Sequence, residues 1–455
     1  MHFIIQGVKI IDPTSPFNKL VKDIRIAQGL ITEIGDGLSP SENEKVYNFE
    51  GKCISPGWID MLTAFGDPGH EYKETIQTGI QAALAGGFTS VCLMPNTEPA
   101  LHSKSEIEYV INKASAELAN IYPYGAITKH REGKELTEIY DMHHAGAIAF
   151  TDADYAIRDA GILLRSLLYV KPFNGVIINI PNDHKIVGNA NVNEGNMSVQ
   201  LGMYGIPEVL EELMVIRDIK LAEYTESKIH IGIISSATSL PHIREAKNKG
   251  IQITAGVSAY QLYFDENELF DYNTNYKVNP PLRTKHDIEL LKQAVADGTI
   301  DVICSFHLPH ENDVKDVEFE YAAFGMGSME ACFGAAQLMM QNRISTEELI
   351  NKIAINPRNI LSLEIPSIKE KNKAELTIFD EEVEWNFERS DIRSRSLNSG
   401  FIGKPMKGKA PVSYTHLRAH ETVLDLVCRL LLEKKKTIHS KYLTYTNTSI
   451  QATPT

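Results

Sequence analysis

A chain of 455 residues with 45 Lys+Arg against 59 Asp+Glu carries a formal net charge of −14, which argues against binding nucleic acid or an anionic membrane surface through charge alone. The length suits one barrel of roughly 250 residues beside a smaller domain. Five cysteines without Cys-x-x-Cys spacing read as reduced core thiols rather than a zinc cluster or a disulfide framework. The first residues alternate apolar and polar instead of presenting a basic start and an apolar run, so a secretion signal is not expected and a cytoplasmic protein is.

In chain order, Phe3 to Ile11, Asp23 to Ala27 and Leu30 to Ile34 read as short strands, the last two joined by a Gln28-Gly29 turn. Residues 1–52 are thus expected to give the first part of a β domain. From Cys53 the pattern becomes short apolar runs alternating with amphipathic stretches, as in the helical Tyr72 to Ala85 followed by the strand Thr89 to Met94. That order predicts parallel strands with crossover helices, a (β/α)8 barrel over 53–365. Strand-like pieces return at Ala374 to Phe379, so 366–411 is expected to complete the β domain, a small sandwich-like unit built from both chain ends. From Val412 the charge changes sign, and the stretch resembles translated read-through from a sequence assembly. Residues 412–455 are expected to be artefactual or disordered. His416 and His420 there are four apart but lack a third ligand nearby.

Several blocks carry a family resemblance. Ser55-Pro-Gly-Trp-Ile-Asp60 and Asp67-Pro-Gly69 frame a strand end. Met94-Pro-Asn-Thr-Glu-Pro99, Asn193-Glu-Gly195, Val278-Asn-Pro-Pro-Leu-Arg283 and Ser305-Phe-His-Leu-Pro-His310 follow in order. Together they resemble amidohydrolases of the dihydroorotase type, over roughly residues 50 to 410. The resemblance implies a TIM barrel with a flanking β domain, one or two zinc ions at the barrel mouth, and hydrolysis of a cyclic amide in pyrimidine synthesis.

The residues at the family's ligand positions differ from that chemistry. The His-x-His pair is Leu62 and Ala64, later histidines fall at Asn179 and Ile233, and the general-base aspartate falls at Phe306. Side chains two apart on a strand share a face and can bite one metal. Leucine and alanine have no lone pair to offer. Asp152, in Phe150-Thr-Asp152, is the one ligand position retained. The arginine that would clamp a substrate carboxylate is Gly66. Asn96, Asn279 and His310 match substrate-contacting positions, and each is also explicable as a loop tie. His230 sits on the opposite strand face from Ile233 and reads as a hydrogen-bonded core histidine. His143-His144 reads as surface.

These substitutions predict a protein without catalytic residues, metal or other cofactor, in a structural or regulatory role. The resemblance implies aspartate transcarbamoylase, or self-association, as the partnership. One alternative is an active zinc-dependent dihydroorotase or related cyclic amidohydrolase. Another is a metal-free binder of a small metabolite using Asn96, Asn279 and His310.

Overall fold

The computed structural model describes residues 2–42 and 44–414. The chain begins with strands β1 (His2–Ile10), β2 (Val21–Ala27), β3 (Leu30–Gly35), β4 (Lys45–Asn48) and β5 (Cys53–Pro56). In β1, Phe3, Ile4, Ile5, Val8 and Ile10 are all buried, and the strand has partners on both sides. It pairs antiparallel with β2 and parallel with β4 and β5, which lie end to end along its other edge.

The barrel follows. Its strands are β6 (Trp58–Thr63), β7 (Phe88–Leu93), β8 (Asn120–Pro123) and β9 (Val176–Asn179). After the short pair β10 (Val192–Asn193) and β11 (Gly205–Ile206) come β12 (Lys228–Ile231), β13 (Ile253–Ser258) and β14 (Val302–Cys304). Neighbours β6–β7–β8 and β9–β12–β13–β14 pair in parallel. The two arcs close through single bridges. Phe150 joins Gly125 to Ile177, supplying the eighth stave, and Thr63 pairs with His307. Alternation of helix and strand with buried, apolar strands is what a closed parallel barrel demands, since each stave is covered on both faces.

The helix of the first βα unit starts at Ile76 rather than Tyr72 and runs to Gly86. Thr75 caps it, its hydroxyl accepting from the Thr78 amide, while residues 66–73 are spent in turns closed by His70 N–H to Gly66 O and Lys73 N–H to His70 O. Gly87 ends it in the left-handed region at φ 91°, where a side chain is strained.

The chain then returns to the first sheet with β15 (Leu376–Asn386) and β16 (Pro405–Tyr414). The order is β16-β15-β5-β1-β2-β3, with β4 beside β1, so all seven strands belong to one hydrogen-bonded sheet. The expected boundary at Val412 is corrected here. Val412, Ser413 and Tyr414 pair with Ile378, Thr377 and Leu376, because the ladder along β15 continues past Pro411. The remainder of the tail, with His416, His420 and Cys428, lies outside the described residues.

Barrel and sheet are joined at the base of the barrel. Trp58, fully buried, packs against Phe88, Phe333 and Phe379. Arg358 donates to Gly57 O and pairs with Glu375 at 2.7 Å, whose carboxylate also accepts from Thr89 and Ser90. A buried charge survives only with such full pairing. The other four cysteines, Cys53, Cys92, Cys304 and Cys332, are buried and free. Among the described residues no helix is long and apolar enough to cross a membrane.

Candidate functional site

Parallel barrels carry their chemistry at the C-terminal ends of the strands, and the residues singled out from the sequence stand there. Leu62 ends within β6 and Ala64 follows it. Asn179 closes β9, Ile233 lies two past β12, and Phe306 lies two past β14. Asp152 follows the stave at Phe150. Leu62, Ile233 and Phe306 expose none of their surface, and all three belong with Ala64 to the barrel's hydrophobic core. A Cβ built on Gly232 would sit 3.3 Å from Leu62 Cδ1, so the leucine reaches across the mouth to the β12 end. Phe306 stacks toward Tyr260 at 6.5 Å between ring centroids. Its φ of 49° is a left-handed conformation that an aromatic residue rarely adopts and that the surrounding packing must enforce.

Asp152 and Asn179 are hydrogen-bonded by the protein itself. Asp152 accepts from the amides of Ile127 at 2.8 Å and Thr128 at 3.0 Å, and from the Thr128 hydroxyl. Burial pushes its carboxyl up to about 6, against the pull of those bonds. Asn179 donates to Asp218 Oδ2 at 2.6 Å and accepts from the Ile157 amide at 3.0 Å. Arg217 then grips the other oxygen of Asp218 through Nε and Nη2. Histidine ligands of metals generally hand their second ring nitrogen to such a carboxylate. Here an amide occupies the position and holds the same kind of bond.

A divalent cation needs about three protein donors at a catalytic site. Leu62, Ala64, Ile233 and Phe306 have none, which leaves Asp152 and Asn179, both already accepting hydrogen bonds from the protein as described. Among the described residues no three His, Cys, Asp or Glu side chains gather as a metal-binding group. The donor set does not fit zinc.

Gly66 presents a second disagreement with the family chemistry. A Cβ added there would overlap the carbonyl oxygen of His70, so no arginine fits without rebuilding the turn. Asn96 and Asn279 each keep a buried side-chain oxygen with no partner, and so does Nδ1 of His310. His310 Nε2 donates to Phe324 O at 2.9 Å, and burial, helped by Lys73 and Lys315, lowers its pKa to about 4. His230 is a core residue bonded to the Thr254 hydroxyl at 2.9 Å, its pKa lowered by burial to about 3. His143 stacks on Phe173 at the end of a short helix, while its neighbour His144 is exposed.

Sequence reasoning did not find Asp218, Arg217, Thr128 or the buried contact of His307 with Glu74, 3.5 Å apart.

A closed parallel barrel with a seven-stranded sheet built from both chain ends is the architecture of the cyclic amidohydrolases. Solved structures share it. L-hydantoinase (dihydropyrimidinase) from Arthrobacter aurescens superposes with a TM-score of 0.80 at 18% identity, over 91% of this chain and 95% of that one. D-hydantoinase from Thermus sp. gives 0.75 at 19% identity, over 91% and 94%. Closer in sequence are dihydroorotases. That of Citrifermentans bemidjiense is 38% identical over 412 residues, 90% of this chain and 97% of the relative. That of Acetivibrio thermocellus is 37% identical over 427 residues, 93% and 99%. The family model Dihydro-orotase-like matches residues 51–239. The chain belongs to the dihydroorotase-like family.

Proposed function

We propose that this member of the family is metal-free and does not hydrolyse cyclic amides, and that it serves a structural or regulatory role in a pyrimidine-synthesis setting, with aspartate transcarbamoylase as one candidate partner. The observation that carries this reading is the donor chemistry of the mouth: four of the six ligand positions are Leu62, Ala64, Ile233 and Phe306, packed into the barrel core. Aliphatic and aromatic carbon cannot hold zinc or generate hydroxide.

A second reading is a working zinc-dependent cyclic amidohydrolase. The comparisons with named relatives support it more directly than the first, since the relatives that cover nearly the whole chain are dihydroorotases. A third, a metal-free binder of a small metabolite, draws on the unpartnered atoms of Asn96, Asn279 and His310. One experiment separates them: elemental analysis of the purified chain with a dihydroorotate cyclisation assay in added zinc. Stoichiometric zinc with turnover would establish the second reading. Absent metal and turnover, with a metabolite raising the melting temperature, would establish the third.

A further inference from the structure

We propose that residues 311–325 form a proton-operated strap beside the barrel mouth: Lys277 and Lys315 hold it shut as neutral amines, and protonation of the two releases it. The strap follows the C-terminal end of β14 and meets the mouth at His310, whose Nε2 donates to Phe324 O at 2.9 Å. It turns Phe319 and Ala322 inward and leaves Asp313, Asp316, Glu318 and Glu320 in solvent.

Two side chains fasten it. Lys277, 2% exposed, donates from Nζ to Phe319 O and Glu320 O, both at 2.8 Å. Lys315, 5% exposed, donates from Nζ to Ala323 O at 2.9 Å and Gly325 O at 3.0 Å. An ammonium has three protons to place and a neutral amine two. Each fastening offers two carbonyls, which suits the amine. A buried ammonium without a counter-ion is costly, and giving up the proton removes that cost.

Burial is the larger cause in both, lowering Lys315 to about 7 and Lys277 to about 8. Lys277 adds to the effect on Lys315, and no carboxylate offsets it. Glu320 favours the proton on Lys277. The rings of Phe324 and Phe319, 4.7 and 5.5 Å from its Nζ, favour a cation too. From the barrel side His310 faces Lys315 and is itself neutral above about 4. Thr274 and Asn398, which bond the strap at Lys315 O and Gly325 O, bring no charge.

The sign of the linkage follows. In the open strap both nitrogens reach water and return to the ordinary 10.5. Between about 7 and 10.5 the open form binds more protons, so falling pH favours opening across that window and has no further effect below it. Opening also parts His310 from Phe324 O, which makes access to the mouth proton-dependent whichever reading of its function holds.

Hydrogen exchange of the full chain, read on peptides covering 311–325 and divided by the intrinsic chemical rate, tests this at about pH 7 and about pH 9. Opening is expected to be at least about tenfold more frequent at the lower pH, since each proton taken up shifts the ratio by up to about tenfold per pH unit. Lys315→Gln keeps two N–H donors and cannot ionise, so it is expected to reduce that dependence, and Lys277→Gln/Lys315→Gln to abolish it. Equal protection at both pH values in the unmodified chain overturns the proposal, as does an unaltered dependence in the double variant. Should the variants fail to fold, carbon-13 NMR of the lysine ε-carbons in the unmodified chain decides. Both side chains still charged at about pH 9 would overturn the strap's mechanism, because their ordinary value lies above that pH.

Discussion

At Gly66 the missing side chain is no longer a simple vacancy. The turn has closed until His70 O occupies the space of a Cβ, so Gly66→Ala is expected to lower stability by about 1–3 kcal/mol, read as a fall in melting temperature. Restoring arginine should be at least as costly. Asn179 is the converse case, a substitution that the surroundings have accepted. Replacing it by leucine would leave buried Asp218 short of one donor and the Ile157 amide without an acceptor, an expected loss of about 3 kcal/mol by chemical denaturation. His230 sets a pH dependence. Its pKa is lowered to about 3 by burial, below the ordinary value near 6.5, so the unfolded chain binds the extra proton first. Its contribution is fully present above the unfolded value and is lost as pH falls from about 6.5 towards 3, with a slope approaching ~1.4 kcal/mol per pH unit. A His230→Gln variant should show a shallower acid slope than the unmodified protein.

Among the elements, the last strand yields a sharp test. A chain ending after Pro411 loses the pairs from Val412, Ser413 and Tyr414 to β15 and should melt lower than one ending after Tyr414, which keeps the ladder. Equal melting temperatures would show those three pairs to be idle. The strands of the β domain were legible because alternation records one buried face, and the order of strands and helices marked the barrel. The eighth stave was not legible as an element, since Phe150 contributes single bridges rather than a run. The helix start shifted from Tyr72 to Ile76 because a close turn at Gly66 to His70 uses the residues before it, and turn closure leaves no periodic trace. At the site, the side chains at the family's expected ligand positions could be read position by position from the motif frame. The contacts that hold them could not. The bond from Asn179 to Asp218 spans 39 positions, and nothing local in either segment announces the other.

For the molecule as a whole, a metal bound only by the folded state would stabilise it in proportion to the logarithm of its concentration over its Kd. With the mouth filled, chelator should leave the melting temperature where it was, and added zinc should not raise it. A reversible drop in EDTA would reinstate the active-enzyme reading. The sheet built from both ends has a further consequence, in time rather than in space. Strand β5 is flanked by β1 and β15, and the bond from the Trp58 amide to Thr377 that marks their junction spans 319 positions. At about 5–20 residues per second on a ribosome, the edge of β5 waits roughly 15–60 s for the strand that covers it. During that interval β1 to β5 present an unpaired apolar edge while the barrel is still being made. Yield in cells should therefore depend on what shields that edge, with overexpression favouring aggregates seeded by β1 to β5 even when the finished protein is stable.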